Sequence, residues 1–222
     1  MTIPTWKQNL VTGYQNFRAG NYGRQKELYE QLGKEGQSPD VLVISCVDSR
    51  VSPSAVFNAH PGEMFILRNV ANIVPPCEPS AGYHGTSAAI EFAVSNMKVS
   101  VIVVMGHESC GGIGAFLASL DEEPDTDAEP SFLGNWVEIL DAAYKNFMAS
   151  DTNEASQQRQ MEYAGVRQSL INLMSFPFVE KAVMAGELSL LGAYFSIIEG
   201  RLLFANEDGV FEEVPTNDSK TL

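Results

Sequence analysis

The sequence predicts an α/β fold, a short and mostly parallel β-sheet flanked by helices. Three observations lead there. Val41-Leu42-Val43-Ile44-Ser45 and Val101-Ile102-Val103-Val104-Met105 are unbroken apolar runs rich in β-branched residues, as expected of strands covered on both faces. Turn residues and then a helical pattern follow each run, which is a βα rhythm. A chain of 222 residues buries one sizeable core. We therefore expect a single domain over 1–222, with an N-terminal helical arm at 1–35, an α/β core at 36–210 and a frayed tail at 215–222.

The elements follow in order. Trp6, Leu10, Tyr14 and Phe17, then Leu28 and Leu32, recur at helical spacing, and Gly20 and Gly23 are expected to split the arm into two helices. After the first strand, Ser54 to Asn58 reads as a short helix stopped by His60-Pro61-Gly62. Met64 to Leu67 reads as a second strand, followed by an irregular stretch from Arg68 to Gly85. Thr86 or Ser87 is expected to cap a helix running to about Met97. Beyond the 101–105 strand, Gly111-Gly112 opens another helix. Asp121 to Glu129 reads as a loop, with helices near 131–149 and 154–174. Phe176-Pro177-Phe178 marks the break before a third. Leu188 to Ile198 is the last long strand, turning through Glu199-Gly200 into Arg201 to Phe204.

Composition narrows the class. The net charge is −14, from 28 acidic and 14 basic residues. That argues against nucleic acid and anionic membrane as partners, because both demand positive patches. Six of the nine residues from Asp121 to Glu129 are acidic, which reads as a solvated surface. No run approaches the roughly 20 apolar residues of a membrane span. The first 20 residues lack a signal-peptide core, so a cytoplasmic protein is expected. Three cysteines fit a reducing compartment, and Cys77 reads as a free thiol.

The chemistry sits where the two apolar runs end. The first runs into Cys46-Val47-Asp48-Ser49-Arg50, the second into Gly106-His107-Glu108-Ser109-Cys110-Gly111-Gly112. In parallel sheets, sites form outside the carboxyl ends of the strands. Cys46, His107 and Cys110 make a Cys2His zinc set, and three protein ligands leave a fourth position for water, as in catalytic zinc sites. A helix N-terminus at Cys110 favours its thiolate. Either motif alone equally describes a buried apolar thiol or a hydrogen-bonded core histidine; their pairing at matching strand ends favours the metal. Asp48 and Arg50 then read as an acid and the base that holds it ionised, or else as an ion pair at a turn.

These residues carry a family resemblance. Cys46 to Arg50, Phe65 with Arg68-Asn69-Val70-Ala71-Asn72, Gly85 to Glu91, and Gly106 to Gly112 resemble the beta-class carbonic anhydrases, over most of 5–205. The resemblance implies that family's fold and the reversible hydration of carbon dioxide to bicarbonate and a proton, by attack of zinc-bound hydroxide. It places the zinc ligands at Cys46, His107 and Cys110 and the catalytic pair at Asp48 and Arg50. Asp48 is also implied as a fourth zinc ligand in a closed state. Two thiolates leave zinc-bound water less acidic than imidazoles would, which gives Asp48 a use as acceptor of the nucleophile's hydrogen bond.

The resemblance also implies a substrate pocket at Gln37, Phe65, Val70 and Phe92, with the Gly111 N–H at a helix start to hold a developing bicarbonate oxygen. Phe92 replaces a Tyr found in other members and loses its hydroxyl. Core packing is the alternative for each phenylalanine. The pocket is completed by a second chain in the family, so a homodimer or homotetramer is implied, with the arm packing on the neighbour. A bicarbonate-regulatory pocket of Trp, Arg and Tyr occurs in some members. Arg68 matches, but Val43 and Phe195 stand at the other two positions, so this regulation is expected to be absent. His84 is a candidate proton shuttle; His60 reads as a turn residue. Two further readings fit the same residues: a zinc hydrolase of carbon disulfide or carbonyl sulfide, and a non-catalytic zinc-binding protein.

Overall fold

The computed structural model describes residues 5–78, 82–121, 131–148 and 156–216. The sheet has six strands: β1 (Val41–Cys46), β2 (Met64–Asn69), β3 (Val101–His107), β4 (Ser189–Ser196), β5 (Arg201–Ala205) and β6 (Phe211–Glu213). Their order is β2-β1-β3-β4-β5-β6. The first four run parallel, β5 is antiparallel to β4, and β6 is antiparallel to β5. The predicted α/β class and mostly parallel sheet are present.

β1 and β3 are central and buried along nearly their whole length, which explains their unbroken apolar runs. One face packs Leu42, Ile44, Ile102 and Val104 against Ile90, Val94, Leu173 and Val179. The other buries Val43, Val103 and Met105 with Val51 and Ala193. At the carboxyl ends a third cluster joins Cys46 and Cys110 to Ala71, Ile113, Phe116 and Met161. Gly106 lets β3 approach the long helix α8: a Cβ there would lie 2.7 Å from Val166.

The helices are α1 (Thr5–Phe17), α2 (Lys26–Glu35), α3 (Pro53–Val56), α4 (Gly85–Glu91), α5 (Gly111–Ser119), α6 (Phe132–Val137), α7 (Asp141–Ala143), α8 (Gln157–Leu173) and α9 (Pro177–Met184). Several differ from expectation. Gly20 does not break the arm, because the helix continues through it as a π turn over Arg18–Tyr22. Gly23 stays right-handed, and the break falls at Gln25, whose φ is −117° and ψ 20°. Neither Thr86 nor Ser87 caps α4. The helix starts at Gly85, and Thr86 Oγ1 accepts from Asn69 Nδ2 at 3.4 Å. That helix ends as a π turn over Phe92–Asn96.

The helical stretch near 131–149 begins as expected but passes through a 3-10 turn (Glu138–Leu140) and a π turn (Tyr144–Met148). Pro177 opens α9 at its first position, where its missing N–H costs nothing. Strand β6, three residues long, has no counterpart in the reading of the sequence. The acidic run past Asp121, the start of the 154–174 helix and the tail past Thr216 lie outside the described residues.

Candidate active site

β1 ends on Cys46 and β3 on His107, two neighbouring strands delivering two side chains to one edge of the sheet. Ser109, at φ 55°, turns the chain sharply so that Cys110 becomes the residue before α5. Gly112 permits this fold-back, since a Cβ there would sit 2.7 Å from Val70 and 2.9 Å from Ala71. The two sulfurs and a His107 ring nitrogen lie within 4.8 Å of one another, all three residues buried. Among the described residues they are the one cluster of this kind.

This donor set fits zinc. The sulfurs are 4.0 Å apart, close to the ~3.8 Å spanned by two Zn–S bonds of about 2.3 Å at a tetrahedral angle. His107 Nδ1 is 2.9 Å from Glu108 O, a donor's position against a carbonyl, which leaves the Nε2 lone pair free. Nε2 is buried and, among the described residues, has no hydrogen-bond partner. Such an atom is costly unless something binds it. The hydrogen bond from Cys110 pulls the Cys46 thiol down and the same bond pushes Cys110 up. The N–H groups of Ile113 and Gly112 do lower Cys110, as expected for a helix start, but the neighbouring Cys46 thiolate outweighs them. Two thiolates this close require a cation.

Asp48 stands beside the cluster with both oxygens taken by Arg50. Arg50 donates from its backbone N (2.9 Å) and Nε (3.0 Å) to Oδ1 and from Nη2 (2.8 Å) to Oδ2. Those hydrogen bonds hold the carboxyl well below the usual range. The same Nη2 reaches Ser109 O at 3.0 Å, tying the two ligand-bearing loops together.

Several supporting residues were not singled out in the sequence. Glu162, on α8 and 3% exposed, accepts from the Cys110 backbone N at 2.9 Å, from Gln158 Nε2 at 2.8 Å and from Tyr194 Oη at 2.7 Å. Gln158 also donates to Cys110 O at 3.0 Å. Burial first, then the Glu162 charge, pushes the Tyr194 phenol up. Glu108 accepts from Arg159 (2.9 Å), Ser196 Oγ (2.9 Å) and Ile198 N (3.0 Å), and the Ile198 bond leads in lowering its carboxyl. Trp136 Nε1 donates to Val70 O at 2.9 Å.

Of the expected pocket residues, Val70 packs against the Cys46–Cys110 cluster and Gly111 begins α5 beside it. A cleft of about 640 Å³, lined by Asn69, Val70, His84, Thr86, Phe132 and Trp136 among others, opens next to Val70. Phe65, Phe92 and Gln37 are elsewhere in the chain. Phe65 pairs with Leu42, four residues before the Asn69–Cys46 pair, or about 13 Å along the strand. Its ring meets Phe92 edge-on at 5.9 Å, and Phe92 is 50% exposed. Gln37, exposed, precedes the amino end of β1. Arg68 aims its guanidinium at backbone carbonyls, and Val43 is fully buried.

The model of the carbonic anhydrase family matches residues 41–202. "Beta carbonic anhydrase 3" of Arabidopsis thaliana is 37% identical over 196 residues, 87% of this chain and 74% of the relative. "Beta carbonic anhydrase 5, chloroplastic", from the same organism, is 40% identical over 185 residues, 82% of this chain and 59% of that protein. The solved structure of "the beta-carbonic anhydrase CcaA" superposes with a TM-score of 0.83 at 28% identity, covering 96% of this chain and 94% of its own.

Proposed function

The chain belongs to the beta carbonic anhydrase family, and we propose that it hydrates carbon dioxide reversibly at one zinc ion held by Cys46, His107 and Cys110. The observation that carries this reading is the buried, partnerless Nε2 of His107 facing two sulfurs 4.0 Å apart. Zinc, when bound, acidifies a water so that a nucleophile exists near neutral pH.

The chain's own groups do the rest. Asp48 is a carboxylate held ionised and immobile by Arg50, and a carboxylate with spare lone pairs accepts a hydrogen bond from the attacking nucleophile and so aims it. The Gly111 N–H, at the start of α5, faces the charge that develops on a bicarbonate oxygen. Val70 supplies an apolar wall suited to a small uncharged substrate, and Trp136 fixes its backbone. With both oxygens on Arg50, Asp48 is held away from the ligand position.

The pocket is completed by a second copy of the chain. The thirteen residues of α1 include none that is buried, and Trp6, Leu10 and Tyr14 are each more than 60% exposed along one stripe. A helix with such a stripe needs a partner surface. β2 is an open sheet edge, which proteins cover. Two β2 strands placed side by side about a twofold axis run antiparallel. Phe65, Phe92 and Gln37 of one copy then fall beside the Cys46 end of the other. We read the protein as a homodimer or a pair of such dimers, one catalytic domain per chain. Among the described residues no helix is long and apolar enough to cross a membrane, and two zinc-ligating thiols suit a reducing compartment such as the cytoplasm.

Stopped-flow carbon dioxide hydration from about pH 6.5 to about pH 9, on protein of measured zinc content, tests the function. Fast hydration that rises with pH at one zinc per chain is expected. Full zinc without hydration discards the reading and points to carbon disulfide or carbonyl sulfide.

A further inference from the structure

Arg68 leaves the edge strand β2 and reaches across the loop that follows β1. Its Nε donates to Cys46 O at 2.8 Å, and one Nη2 donates to both Asp48 O at 2.6 Å and Val51 O at 2.8 Å. These three carbonyls span the segment that carries a metal ligand, the acid and its arginine. Other backbone ties of that loop are few: Val47 N to Asn69 O at 2.9 Å and Val51 N to Asp48 O at 3.1 Å. Past the last ladder pair, carbonyls need donors from side chains or water. A guanidinium is the one side chain whose rigid fork satisfies several at once.

Asp48 is thus gripped from two directions. Arg50 holds the carboxylate and, through Ser109 O, the second ligand loop. Arg68 holds the peptide backbone from which the carboxylate hangs. Arg50 sits on the same short loop and is half exposed, and it reaches beyond that loop through Ser109 O. Arg68 comes from a neighbouring strand paired in register with β1, so it ties the loop to the sheet.

We propose that Arg68 is a positioning residue for Asp48, acting through the loop backbone and touching no reacting atom. This rests on the carbonic anhydrase reading above. Its Nε and Nη2 donors are engaged by carbonyls of the loop, which gives it a geometric role.

A double-mutant cycle tests it: wild type, Arg68→Ala, Asp48→Ala and the double variant, each with zinc per chain and assembled mass measured. Arg68→Ala is expected to keep its zinc and to lose kcat by about tenfold or more, with KM little changed. In the Asp48→Ala background, removing Arg68 is expected to change kcat by less than about twofold. Arg68→Lys, which keeps a cationic donor group without the planar fork, recovers part of the loss and replaces Arg68→Ala in the cycle if the latter does not fold. Equal losses in both backgrounds, full activity in Arg68→Ala, or loss of zinc with the activity overturns the proposal. An inactive, zinc-loaded wild type overturns the enzymatic reading instead, so the two failures are distinct.

Discussion

The carboxyl edge of the sheet and the amino-terminal arm are opposites. At the carboxyl edge most polar atoms around Cys46, His107 and Cys110 have partners, and among the described residues the buried side-chain atoms without one are His107 Nε2, Ser45 Oγ and Asn69 Oδ1. In the arm the largest side chains face solvent, and α1 buries none of its residues. One region is finished within a single chain; the other is apolar surface with nothing on it. On the function proposed above, metal binding is a property of one chain and the substrate pocket a property of two.

Substitutions on the two sides should separate these properties. Cys46→Ser leaves an incomplete donor set; we expect zinc to be absent by metal analysis and hydration to fall on the order of a thousandfold or more. In the arm, Leu10→Asp with Tyr14→Asp places charges on the apolar stripe. Self-association measured by light scattering or ultracentrifugation is expected to weaken roughly a hundredfold, with one zinc per chain retained. Zinc lost together with assembly would erase the distinction between the two regions.

Glu162→Leu probes the finished side from beneath. It strands the Cys110 N–H, Gln158 and the Tyr194 hydroxyl without their acceptor. We expect a loss of about 2–4 kcal/mol, read as a melting temperature lower by roughly 5–12 °C, with zinc affinity weaker by about tenfold or more. A silent Glu162→Leu would mean that the helix N-terminus alone holds Cys110 in place.

The smallest expected effect is one of pH. Hydrogen bonds from Arg50 depress the folded-state Asp48 carboxyl, so any stability it contributes is present above the ordinary carboxylate range and lost only as pH falls through the depressed value. The difference in stability between wild type and Asp48→Asn should be flat from about pH 5 to about pH 9 and should narrow only in stronger acid. A difference that titrates near neutrality contradicts the Asp48–Arg50 pairing.

The finished side was the more legible in the sequence. Cys46 and His107 announce themselves because a buried parallel strand is an unbroken apolar run, and a polar residue at its end has few reasons to be there. Glu162 gave no such signal, since a glutamate in a helix reads as solvated. Two of its three partners, Tyr194 and Cys110, are 32 and 52 residues away in sequence, on other elements. Helix α8 buries Glu162, Gln168, Ser169 and Asn172 among its apolar residues, which blurs the periodicity that would have revealed its inner face. Ser169 and Asn172 hydrogen-bond Val74, pinning the irregular stretch after β2. β6 is too short to show a pattern. Gly20 misled because a π turn tolerates it without ending the helix. Gln37, Phe65 and Phe92 came from resemblance, and within one chain Gln37 and Phe65 lie toward the amino ends of β1 and β2, away from Cys46.

That last point can be measured by mixing. Cys46→Ser supplies a chain with an intact Gln37–Phe65 patch and no metal set, while Gln37→Ala/Phe65→Ala supplies the reverse. Each alone is expected to be nearly inactive. Co-refolded at equal amounts, they form mixed dimers in which one site takes both intact halves, and hydration should return to about a quarter of the wild-type rate. No recovery in demonstrably mixed dimers would show that the pocket is built within one chain, and would contradict the division drawn here.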